Sequence, residues 1–128
     1  MTDLGTLGGT DSVAFAINPA GQVAGYAYTA GGDPHAFRWT ASGGMQDLGT
    51  LGGRYSSASA INELGQVVGA ADTAGDSHAF RWTASGGMQD LGTLGGTVSY
   101  GTAINERGQV TGNAYTAGGD YHAFLWTP

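Results

Sequence analysis

Asp3-Leu4-Gly5-Thr6-Leu7-Gly8-Gly9 is written again at Asp47–Gly53 and a third time at Asp90–Gly96. Two other motifs keep step with it. His-Ala-Phe-x-Trp-Thr stands at His35–Thr40, His78–Thr83 and His122–Thr127, and Ala-Ile-Asn followed by Gly-Gln-Val begins at Ala16, Ala60 and Ala103. Successive copies lie 43 or 44 residues apart. A repeat of this length is one supersecondary unit, and its apolar faces need neighbours to cover them.

The middle copy predicts four strands. Ser56–Ile61 is strand A, six residues of small side chains and one Ile. Asn62-Glu63-Leu64-Gly65 has Asn first and Gly fourth, the preferences of a type I turn, and the first copy puts Pro19 second, where its fixed φ fits. Gln66–Ala71 is strand B and Thr73–Ser77 a loop. His78–Trp82 is strand C, with Phe80 and Trp82 on one face at period two. Thr83–Gly87 is a hairpin turn, and Met88–Leu94 is strand D, ended by Gly95-Gly96. No 11-residue window holds a helical apolar pattern free of Gly, so no helix is expected.

Four short antiparallel strands per unit predict an all-β fold, a β-propeller with four-stranded blades. A single-chain β-trefoil or β-prism shares the arithmetic and stands as the alternative. The order of strands favours the propeller. The chain reads D, ABCD, ABCD, ABC. Residues 1–9 are a lone strand D, 10–53 and 54–96 are whole blades, and 97–128 supply strands A to C of a split blade. Three blades are too few for a ring, which uses about four to eight. Two chains would close six blades, each N-terminal strand D entering the partner's last blade, and three chains would close nine. The expected partner is therefore a second copy.

Composition narrows the function. The chain has 128 residues, enough for one domain. Gly numbers 25, well above the ordinary share of about 7%. There is no Lys, four Arg are the only basic side chains besides His, and the net charge is −6. A nucleic-acid partner needs a basic patch, and so does an anionic membrane surface. Neither is expected. Absence of Cys removes disulfides, thiolate–zinc sites and thiol nucleophiles. No apolar run approaches the roughly 18 residues of a membrane span, and no signal peptide is read at Met1-Thr2-Asp3.

The three motifs in fixed order resemble the HAF repeat family, a bacterial extracellular repeat family named for His-Ala-Phe, over the whole chain. The resemblance implies a propeller-like repeat and a cell-surface or secreted setting. It implies no activity. Leu125 stands where the other copies have Arg38 and Arg81.

Each copy also holds a His (His35, His78, His122), an Asp (Asp3, Asp47, Asp90), a Trp (Trp39, Trp82, Trp126) and a Ser at the start of strand A (Ser12, Ser56, Ser99). A similar set ties WD40-type blades together by hydrogen bonds, so a buried structural network is expected in preference to a metal site. No cofactor is expected. The Gly-Thr-Leu-Gly-Gly segments lack the Lys and the following helix of a phosphate loop. One identical loop Asp per repeat reads as a turn residue, so catalysis is not expected. The D–A and B–C loops should share one face of the fold. That face would carry Asp11, Arg54 and Tyr55 from one set and Asp33, Asp76, Asp120 and Tyr121 from the other, with Tyr100 nearby. Tyr beside Asp and Arg suits a sugar or peptide, which makes a lectin-like module the alternative to a scaffold. Tyr26, Tyr28 and Tyr115 on strand B are read as packing between units. Near-identity of the copies fits recent duplication or design.

Overall fold

The computed structural model describes residues 1–128 and contains eleven β-strands and no helix. They are β1 Gly8–Ile17, β2 Val23–Thr29, β3 Pro34–Thr40, β4 Gly44–Asp47, β5 Ser56–Ile61, β6 Val67–Asp72, β7 Ser77–Thr83, β8 Gly87–Asp90, β9 Gly95–Ile104, β10 Val110–Thr116 and β11 Tyr121–Trp126. They form three antiparallel meanders. Two have four strands, in the orders β1-β2-β3-β4 and β5-β6-β7-β8, and the third has three, β9-β10-β11.

The turn between strands A and B carries the Asn-x-x-Gly reading. Gly21, Gly65 and Gly108 each donate their N–H to the carbonyl three residues back, at 3.0 Å, and sit at φ between +77° and +79°. Only Gly adopts that backbone without strain. Strand A then carries a bulge. Phe15, Ser59 and Thr102 are skipped in the register against strand B. The bulge presses strand A onto the facing Gly of strand B. A Cβ on Gly25, Gly69 or Gly112 would lie 1.9 Å from the carbonyl oxygen of Val13, Ser57 or Tyr100.

Two expectations about strand D change. The strand ends at Asp47 and Asp90, not at Leu94. Asp90 Oδ1 accepts the Gly92 N–H at 2.8 Å, and Gly92 lies at φ +81°, which turns the chain out of the sheet. Gly8-Gly9 and Gly95-Gly96 also do not terminate strand D. They open β1 and β9. The N-terminal copy of strand D, Met1–Leu4, pairs with no strand of its own chain.

The sheets stack face to face, β5 against β1, β2 and β3, and β9 against β5, β6 and β7. The core lies in the first junction. Ala24, Ala36 and Leu48 of the first sheet meet Ala58, Val67, Ala71, Phe80 and Trp82 of the second, with Leu51, Ile61 and Met88 around them. Ala24 and Ala36 on the first face leave room for Val67, Phe80 and Trp82 of the second, which gives the interdigitation that close packing requires.

Candidate functional site

Recurring Ser, Asn and Arg side chains lie at the junctions between sheets, and a recurring His and Asp lie within each of the first two sheets. Within the first two units His and Asp form a clasp between strands C and D. His35 Nδ1 lies 3.0 Å from Asp47 Oδ1, and His78 Nδ1 lies 3.0 Å from Asp90 Oδ1. A carboxylate can only accept, so Nδ1 carries the proton and donates. The same Asp oxygen accepts the N–H two residues on, of Gly49 or Gly92, which fixes the carboxylate.

Ser forms the link across the junction. Ser56 is buried, accepts the Ala36 N–H at 2.7 Å from the preceding sheet, and donates to the Gly49 carbonyl. Ser99 repeats this, accepting Ala79 N–H at 2.8 Å and donating to Gly92 O at 2.5 Å. Arg completes the set. The Arg38 guanidinium lies 4.8 Å from the centre of the Trp82 ring, and that of Arg81 lies 4.9 Å from Trp126. Arg38 Nη1 and Arg81 Nη1 also point at the carbonyls of Gly65 and Gly108, both at 3.4 Å.

Compared with the expected network, two points differ. The clasp is half-exposed, with the His78 and Asp90 side chains 21% and 43% accessible. The Trp rings make no side-chain hydrogen bond; Trp82 and Trp126 serve as platforms for Arg. A fourth contact, outside the expected set, is a ladder of Asn amides. Asn18 Nδ2 donates to Asn62 O at 2.9 Å, and Asn62 Nδ2 to Asn105 O at 3.0 Å. Its signal was there, since a turn alone does not require Asn with Gln four residues later in every copy. Asn18 Nδ2 also donates to Gln22 Oε1, at 2.8 Å.

The outer units lack half of each contact. Asp3 holds the Gly5 N–H at 2.9 Å as its homologues do, yet has no His. His122 is exposed and has no Asp. Ser12 donates to Gly5 O at 2.7 Å but accepts no N–H, and it is exposed. Asn105 Nδ2 reaches only its own Gln109.

The residues expected on the loop face are partly gathered. Arg54, Tyr55 and Asp76 line one open depression of about 520 Å³ between the D–A and B–C loops of the second unit. An adjoining depression of about 260 Å³ shares Tyr55, Asp72 and Ser77 and reaches Tyr26 and Tyr28. Thus Tyr26 and Tyr28 do border the next unit, whereas Tyr115 is exposed and stacks on Tyr121 at 4.8 Å. Asp11 lies on β1 and Tyr121 opens β11, on strands and not in loops, while Tyr100 lies on strand A of the third unit, β9. The backbones of Asp33, Asp76 and Asp120 close the B–C turns through Thr29, Thr73 and Thr116. Nowhere do three or more His, Asp or Glu side chains gather to hold a metal ion.

Compared with family models, curated proteins and solved structures, the chain matches none.

Proposed function

We propose that this chain is a non-catalytic repeat scaffold that assembles with copies of itself into a closed β-propeller, two chains giving six blades. One observation carries the reading: the faces buried between units are left bare at the two ends. Ile61 is half-buried, while Ile17 at the same place is 70% exposed. Ala36 and Ala79 are fully buried, while Ala123 is exposed. The bare face of the first unit is apolar, with Leu4, Ala14, Phe15, Ala16, Ile17 and Val23 around a hollow of about 360 Å³. A contiguous apolar face of this kind marks a contact surface.

Face-to-face stacking of four-stranded meanders supports a propeller, and six blades lie in its usual range. The resemblance to HAF repeats supports a cell-surface or secreted setting. Light scattering after size exclusion tests the proposal. Twice the chain mass of 12.9 kDa is expected; three times would mean nine blades, and a monomer at every concentration would overturn it.

A second reading, a carbohydrate-binding module, is favoured by the paired depressions around Tyr55. Tyr rings offer a face for a sugar's C–H groups, and Asp72 and Ser77 offer polar partners for its hydroxyls. Binding on a glycan array that disappears in Tyr55→Ala would establish it, and silence across the array would remove it.

A further inference from the structure

The geometry points to a defined partner segment: the third sheet takes its fourth strand from Met1–Leu4 of a second copy. This rests on the self-assembly reading and adds the strand, its register and its weak point.

Three observations agree. The first is the register. Strands C and D pair identically in both complete sheets, Phe37 with Asp47, Arg38 with Gln46 and Trp39 with Met45, then Phe80 with Asp90, Arg81 with Gln89 and Trp82 with Met88. Met1-Thr2-Asp3-Leu4 repeats the Met-Gln-Asp-Leu of Met45–Leu48 and Met88–Leu91 with one change. Transferred to the third sheet, Asp3 faces Phe124, Thr2 faces Leu125 and Met1 faces Trp126.

The second is a hole of the right kind. Met88, opposite Trp82, packs on the core beside Leu48 and Phe80. The same place in the third unit is a cavity of about 170 Å³ bounded by Leu91, Leu94, Phe124 and Trp126. Six of its eight lining residues are hydrophobic, and a Met side chain is the group that would fill it.

The third is that the donor is already shaped. Asp3 caps Gly5, and Ser12 holds Gly5 O, as Asp47 and Ser56 do around Gly49. Docking then adds the bonds each end lacks: Asp3 to His122, Ala123 N–H to Ser12 Oγ, and Asn105 Nδ2 to Asn18 O. A segment ordered beforehand loses little entropy on binding.

The new junction is also weaker than the internal ones. Leu125 replaces the Arg that covers a Trp, so Trp39 receives no guanidinium. Pro19 stands where Glu106 offers the carboxylate that accepts the Glu63 N–H at 3.1 Å, so the Glu106 N–H meets no carboxylate across this junction. The junction between copies is therefore where the ring opens and exchanges.

Mixing Thr2→Cys and Leu125→Cys chains under mild oxidation tests the strand. Both positions are exposed, and the chain has no other Cys. Directly paired strand residues lie about 5.5 Å apart, within disulfide reach. A disulfide-linked heterodimer is expected from the mixture and not from either variant alone. A Thr6→Cys and Leu125→Cys mixture should remain unlinked. Assembly without the Thr2–Leu125 link would overturn the strand while leaving self-assembly standing. A disulfide inside a single monomer of the doubly substituted chain would overturn both.

Leu125→Arg tests the weak point. It should tighten the dimer at least about fivefold by restoring the Arg–Trp contact, and Leu125→Lys, which lacks the planar guanidinium, should not. Equal tightening by both would reduce the effect to net charge and overturn the assigned contact.

Discussion

Single residues in this protein have worth set by the unit they occupy. Ser56 and Ser12 are the same residue in the same motif, yet Ser56 makes two hydrogen bonds and Ser12 one. Ser56→Ala leaves the buried Ala36 N–H without its acceptor, a loss of about 1–3 kcal/mol. Chemical denaturation should show that loss at any protein concentration. On the proposed assembly, Ser12→Ala should cost less in dilute, dissociated protein and approach the Ser56 value at high concentration, because binding stabilises the folded state with the logarithm of concentration. The clasp behaves differently. Its half-exposed geometry limits His78→Ala to about 1 kcal/mol or less. Asp90→Ala should cost more by about 1 kcal/mol, since it also frees the Gly92 N–H. Thermal melts of the two variants, taken side by side, check the order. The His-Ser-Asp-Trp set divides into separate contacts, His with Asp, Ser with backbone, and Trp82 and Trp126 with Arg. Recurrence shows that four residues matter; it does not show which of them touch.

At the level of strands, the turn and the bulge set the register. Asn at the first turn position and Gly at the fourth could be read directly, because each has a local physical reason. The bulge could not. It depends on the approach of strand A to strand B, and its sign in the sequence is a Gly in the middle of strand B. Gly69→Ala places a methyl against the Ser57 carbonyl, where no side chain can move aside. A loss of about 3 kcal/mol is expected, measurable as a large fall in denaturation midpoint, and Gly75→Ala, which meets nothing, should be nearly silent. Strand D stops short of its expected end for a related reason. Gly95-Gly96 is the strong turn signal in the sequence, but Gly92 at φ +81° leaves the sheet before it, and backbone sign is not written in hydropathy.

For the whole molecule, the ends decide the behaviour. Phe80 is fully buried and Phe124, its repeat, only half-buried. Phe80→Ala should cost about 3–5 kcal/mol whatever the protein concentration. If the proposed assembly holds, Ile17→Asp should leave each monomer folded, since Ile17 is exposed there, and abolish association. Circular dichroism unchanged beside a halved mass in light scattering is the expected pair of results. A folded, undiminished oligomer would place the contact elsewhere.

The sequence by itself determined the all-β class, the repeat length, the turns and most strand limits, because each follows from local rules of backbone and periodicity. It also located the side chains that recur. Tertiary structure alone decided what those side chains meet. His pairs with Asp inside a unit, while Ser, Asn and Arg reach across to the next sheet. Identical sequences end up buried in the middle and bare at the edge, because burial depends on a neighbour and a residue's letter does not record whether one is present.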